Sequence, residues 1–161
     1  MTPLSNFDSF CFRRAVELAL LAEQQGNLPI GAVIALDERI IAEGKNAIWF
    51  PHFNQNRHAE IEALRNVPAG MWNSARSMSL YTTLEPCLMC LGSILLHQIG
   101  RVLFGSADHY GGAGLVFGHM PPYFEDQCLH LQWLGPVFVQ ECDPLFVRVM
   151  HKVEHWREQD Y

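Results

Sequence analysis

Thr82-Thr83-Leu84-Glu85-Pro86-Cys87-Leu88-Met89-Cys90 is the stretch on which the fold turns. It reads as the end of a strand, a tight corner and the start of a helix. Proline has a fixed φ and no amide hydrogen, so Pro86 suits the first helical position. Cys87 and Cys90 then project from one side of the first turn. At the positive end of a helix dipole both sulfurs favour the thiolate. Two parallel thiolates make a claw for a metal ion that needs further ligands.

Upstream lies His58-Ala59-Glu60, and His58 is the third ligand this reading selects. Two thiolates and one neutral imidazole cancel the charge of Zn²⁺. They also leave a fourth tetrahedral position to water, the arrangement of a catalytic zinc. Such a metal acidifies its water, and attack on an unsaturated ring carbon then needs a proton carrier. Glu60, a carboxylate beside the ligand set and not in it, is placed for that role. Residues two apart on a regular helix point in different directions, so spacing alone does not bring His58 and Glu60 together. A closed structural zinc site and a redox dithiol are the competing readings of Cys87 and Cys90. The first needs a second ligand pair, which the sequence does not offer at motif spacing; the second leaves His58 and Glu60 without a use.

Working outward, Phe7, Cys11, Ala15, Leu18 and Leu21 follow helical spacing, and Gly26-Asn27 ends that helix. Segments 30–36 and 39–43 read as strands of a hairpin turning at Asp37-Glu38. Segment 47–57 is a loop carrying Trp49, Phe50, His52 and Phe53. A helix over 58–66, a strand over 78–83, a helix over 87–97 and a strand over 101–105 follow. Gly111-Gly112-Ala113-Gly114 and Gly118 mark segment 108–122 as a mobile loop at the mouth of the site, without a phosphate-cradle pattern. Beyond it the spacing predicts a helix over 123–133, a strand over 136–140 and a helix capped by Asp143-Pro144, with Leu145, Val149, Val153 and Trp156 as its buried stripe. This alternation predicts one domain over residues 1–161, of class α/β: three layers, α/β/α, around a mixed five-stranded sheet.

His58-Ala59-Glu60 followed by Pro86-Cys87-Leu88-Met89-Cys90 resembles the signature of the zinc nucleobase deaminases, the cytidine-deaminase-like superfamily. The segments 28–33, Gly44-Lys45-Asn46, 80–85 and 101–105 are similar, in order and spacing, to the tRNA adenosine and guanine deaminase branch. The resemblance implies Zn²⁺ held by His58, Cys87 and Cys90, with Glu60 as catalytic proton shuttle. It places Asn46 against the substrate base; Ala59 and Glu85 are further candidate contacts, and Trp49 and Phe50 in the aromatic loop either wall a pocket or plug the loop onto the core. Tyr161, in an acidic and aromatic tail, stands where some relatives carry a lid. A homodimer is the usual assembly.

The substrate is read from charge. The chain has 11 Lys and Arg against 17 Asp and Glu, a net charge of −6. Residues 102–161 hold three basic and eight acidic side chains. A phosphate backbone needs several cations, so this half is a poor host for nucleic acid unless Arg13, Arg14, Arg57 and Arg65 cluster in space. The expected reaction is hydrolytic deamination of a small nucleobase or nucleoside, a purine by preference. A tRNA wobble adenosine is the runner-up, and a cytosine-type substrate stays open. Five cysteines argue against a disulfide framework. Without an apolar run of membrane length or a leader pattern, a cytoplasmic protein with no membrane partner is expected.

Overall fold

A computed structural model describes residues 4–159, the side chains of Arg157 and Gln159 excepted. The chain opens with α1 (Asn6–Gln24), capped by Ser5. The Ser5 Oγ accepts from the Asp8 amide at 3.0 Å, and the Asp8 carboxylate accepts from the Ser5 amide at 2.9 Å. That reciprocal pair satisfies amides that a helix start leaves free. Gly26, at φ +85°, ends the helix in the left-handed region. β1 (Gly31–Leu36) and β2 (Arg39–Lys45) form the expected hairpin, Leu36 opposite Arg39. Asp37 and Glu38 have φ of 49° and 55°, the two-residue turn whose twist matches the strands.

After a loop come α2 (Ala59–Arg65), a 3-10 segment (Ala69–Ser77) that the sequence did not signal, and β3 (Ser79–Leu84). Then α3 (Leu88–Leu96), β4 (Arg101–Ser106), a short 3-10 turn (Ala113–Val116), α4 (Pro122–Cys128), β5 (Gln132–Leu134) and α5 (Val139–Gln159) complete the order. The sheet runs β2-β1-β3-β4-β5. β1 is antiparallel to both neighbours, while β3, β4 and β5 are mutually parallel, so the mixed five-stranded sheet is as expected. β2 and β3 therefore run the same way. The chain leaves both at one edge of the sheet, and α2 and α3 start from that edge, where α/β folds carry sites.

Alternation sorts the core. Val33, Tyr81 and Leu103 pack with Cys11, Phe12 and Leu18 of α1. Ala32, Ile34, Leu80 and Val102 face the other way, against Ala59, Ala63 and Leu64 of α2 and Ile94 of α3. Two glycines let the helices sit backbone to backbone on the hairpin. A Cβ on Gly31 would lie 2.1 Å from the Ala15 carbonyl oxygen, and one on Gly44 would lie 2.1 Å from that of Ala59. Gly44 thus sets how closely α2 approaches the sheet.

The last third departs from expectation. α4 stops at Cys128, and Trp133 is a strand residue paired with Val102. Segment 136–140 is not a strand, although Val137 and Phe138 donate amides to Phe104 and Gly105 of β4 at 3.1 and 3.2 Å. α5 begins before Asp143-Pro144, and Pro144 lies inside it. Tertiary packing overrides the local cap signal here. Cys142 is fully buried, and a Cβ on Gly105 would lie 2.2 Å from its Sγ. Asp143 accepts from the Ser106 hydroxyl at 2.7 Å, so it pins α5 to the end of β4. Among the described residues no helix is long and apolar enough to cross a membrane.

Candidate active site

His58 and Cys87 occupy equivalent places: each is the N-cap of its helix, with extended backbone (φ −69°, ψ 154° and φ −73°, ψ 174°). Pro86 therefore precedes the cap of α3, two positions before the first helical place that the sequence reading gave it, and Cys90 lies one turn inside. The cap geometry also answers the objection about residues two apart. His58 is outside the regular helix, so its imidazole and the Glu60 side chain can converge. The His58 Nδ1 is 3.5 Å from both Cys87 Sγ and Cys90 Sγ, and the three donor atoms lie within 4.8 Å of one another.

Glu60 is 3% exposed. Its Oε2 accepts from the Cys90 thiol at 3.5 Å and its Oε1 from the Thr82 hydroxyl at 3.2 Å. Thr82 is a site neighbour that sequence reasoning missed. The only signal available was a hydroxyl at a buried position of β3 beside the metal corner. Burial pushes the Glu60 carboxyl up, against the pull of His58. The Cys87 thiol is lowered to about 4 by the hydrogen bond with Cys90, helped by His58 and opposed by burial. Cys90 is raised by that same bond and by burial. For His58 burial acts downward, but the bond to Cys87 and the Glu60 charge leave it raised.

Asn46 is fully buried just past β2. Its Oδ1 accepts from the Leu28 and Ile48 amides, at 3.3 Å each, which fixes which way the carboxamide points. The Nδ2 is buried and finds no hydrogen-bond partner among the described residues. A buried donor left unpaired is costly unless something else accepts from it. Trp49 is half-buried and packs at the edge of the core, its ring 6.4 Å from that of Trp156 on α5. Phe53 stacks on Trp156 at 6.1 Å. Phe50 is 59% exposed, with its ring over Gly26, so of the two aromatic candidates Trp49 is the enclosed one. Ala59 is fully buried at the first position of α2. Glu85 turns both carboxylate oxygens to backbone amides of Asp108 and Gly114, at 3.0 Å each, and not towards the zinc donors. The glycine-rich loop is accordingly pinned where the sequence suggested mobility. Tyr161 lies outside the described residues.

Residues 5–106 match the model of the cytidine and deoxycytidylate deaminase zinc-binding region. The chain belongs to this family. A Haemophilus influenzae relative, "tRNA-specific adenosine deaminase", is 40% identical over 142 residues, which cover 86% of this deaminase and 80% of the relative. Among solved structures, one from work on A-to-I editing by tRNA:A34 deaminases has a TM-score of 0.65 at 31% identity. It covers 78% of this chain and 97% of its own. Guanine deaminase from Bacillus subtilis has a TM-score of 0.57 at 28% identity, covering 73% of this chain and 79% of its own. The protein is thus a zinc-dependent hydrolytic deaminase with the cytidine-deaminase-like fold.

Proposed function

We propose that this deaminase removes the exocyclic amine of a small purine base or nucleoside, with zinc held by His58, Cys87 and Cys90. The donor set suits zinc. Bonds of about 2.0 Å to nitrogen and 2.3 Å to sulfur at the tetrahedral angle place the two atoms roughly 3.5 Å apart. Both nitrogen–sulfur separations are 3.5 Å. Zinc bound there would supply a Lewis acid that makes water nucleophilic near neutral pH. Glu60, buried and oriented by Thr82, carries a proton to the ring nitrogen as water adds, and a second to the departing amine. The carbon–nitrogen bond breaks, ammonia leaves and a ring carbonyl remains. Asn46 Nδ2 offers its unpaired hydrogen to an acceptor on the base, and Trp49 supplies an apolar wall.

The observation that carries the small-substrate reading is where the arginines go. Arg14 bonds to Glu43 and Glu17, Arg57 and Arg65 both bond to Glu62, and Arg148 bonds to Glu23. Of the four arginines whose clustering could have made a phosphate patch, three are committed to carboxylates. A planar base needs no such patch. The tRNA adenosine reading stands second, favoured by the 40% identity to the Haemophilus relative. An ammonia-release screen over free bases, nucleosides and an adenosine-containing anticodon stem-loop separates them. Turnover of a free purine or nucleoside is expected. Activity on the stem-loop alone would install the second reading, and activity on cytosine compounds alone would move the deaminase to pyrimidines. A homodimer is part of this reading: Leu88 and Leu96, the first and last residues of α3, are 60% and 58% exposed.

A further inference from the structure

Glu85 has a use that neither the zinc chemistry nor base binding requires. It ends the turn out of β3, and its carboxylate is spread across the glycine-rich loop: Oε2 accepts from the Asp108 amide and Oε1 from the Gly114 amide, at 3.0 Å each. The same loop meets the metal corner directly. The Ala113 amide donates to the Pro86 carbonyl at 2.9 Å, and Gly112 pairs with Cys87 as an isolated antiparallel bridge. The glycines record how close this packing is. A Cβ on Gly114 would lie 2.7 Å from Glu85 Oε1, with Trp133 next at 3.4 Å. A Cβ on Gly112 would lie 2.5 Å from Glu85 and from the Asp108 carbonyl alike. Segment 112–114 is thus clamped between the carboxylate of Glu85 and the backbone of the next two residues.

We infer that Glu85 is a positioning residue that locks this loop against the Pro86-Cys87 corner and so slows the loss of zinc. The inference rests on the zinc reading above. Cys87 sits at an N-cap with extended backbone, where its own helix constrains it least. Its register comes from the bridge to Gly112, whose amide donates to the Asp108 carbonyl at 2.9 Å and which is held through Asp108 and Gly114, the two residues that Glu85 binds. Partners that hydrogen-bond directly to a ligand are worth about 10–100-fold in metal affinity, and one acting through an intervening loop is expected at the lower end of that range.

Zinc-loaded wild-type protein and the variants Glu85→Gln, Gly114→Ala and Glu125→Gln are mixed with excess chelator, and zinc release is timed with a colorimetric indicator. Circular dichroism checks that each is folded. Glutamine keeps one acceptor but turns an amide donor to the other loop N–H, so Glu85→Gln should release zinc roughly tenfold faster or more. Glu125 is the control. It ties the far end of the same loop, accepting from the Gly118 and Met120 amides at 3.3 and 2.7 Å, without touching the corner. Release from Glu125→Gln should match wild type. A thermal-unfolding cycle tests the clamp itself. Gly114→Ala should lower Tm in the wild-type background and much less in Glu85→Ala, because the closest clash is with the carboxylate. Wild-type release from Glu85→Gln, equal acceleration in Glu125→Gln, or the same Gly114→Ala penalty in both backgrounds would each overturn the inference. A wild-type chain that takes up no zinc would instead sink the zinc reading, and the thermal cycle would still decide the clamp.

Discussion

Removing the Glu60 carboxylate should separate holding zinc from using it. Glu60→Ala is expected to keep its metal by elemental analysis and to lose turnover by more than the usual ~10²–10⁴ of one acid–base residue, since it acts in several steps. Cys87→Ser should lose the metal as well. The identities of these residues were legible in the sequence because their types and order carry the chemistry. What could not be read was the convergence of His58 and Glu60, which depends on His58 standing at the helix cap. Asp8 gives a second prediction. Burial acts to raise its carboxyl, but Arg101, the Ser5 amide and the Tyr81 hydroxyl outweigh it and hold it down from 3.8 to about 2. A depressed carboxyl stabilises the fold above its unfolded value and loses that contribution as pH falls through the folded one. Asp8→Asn should therefore cost roughly 2 kcal/mol near neutrality, with the gap to wild type closing between about pH 5 and pH 2 in urea titrations.

At the scale of elements, the seating of α2 depends on one small residue in β2. Gly44→Ala would place a methyl 2.1 Å from the Ala59 carbonyl, a contact the backbone must move to relieve. Displacing α2 carries His58 and Glu60 away from Cys87 and Cys90. The variant should lose ~1–3 kcal/mol or more in thermal unfolding, and its zinc occupancy should fall with it. A fully occupied, equally stable Gly44→Ala protein would show that α2 tolerates the shift. β1, β3 and β4 were legible because their buried residues form apolar or β-branched runs between turn signals, and β2 because the Asp37-Glu38 turn pairs it with β1. β5 was not, since three residues carry no period and its partner β4 chooses it. The start of α5 was misread for a related reason: Asp143-Pro144 is a strong local cap, but the contact between Cys142 and Gly105 extends the helix past it.

Over the whole molecule, charge and assembly make separable predictions. Turnover of the proposed small substrate should vary little between roughly 50 and 200 mM salt, whereas a reaction gripping several phosphates would fall steeply. Sedimentation should give a dimer, and Leu88→Glu with Leu96→Glu should dissociate it. A wild-type monomer at micromolar concentration would remove the homodimer from the reading. The topology has one more consequence, and it concerns time. β1 lies between β2 and β3, so its hairpin with β2 is a local event, while its pairing with β3 joins segments far apart in the chain. Closing that longer loop is the slower step in a chain folding from the coil. His58 arrives with the early half, and Cys87 and Cys90 arrive only with β3. Metal capture during refolding should therefore keep pace with the docking of β3 on β1 and lag behind the first helix and hairpin, so a zinc-sensitive dye would act as a clock for the long-range step.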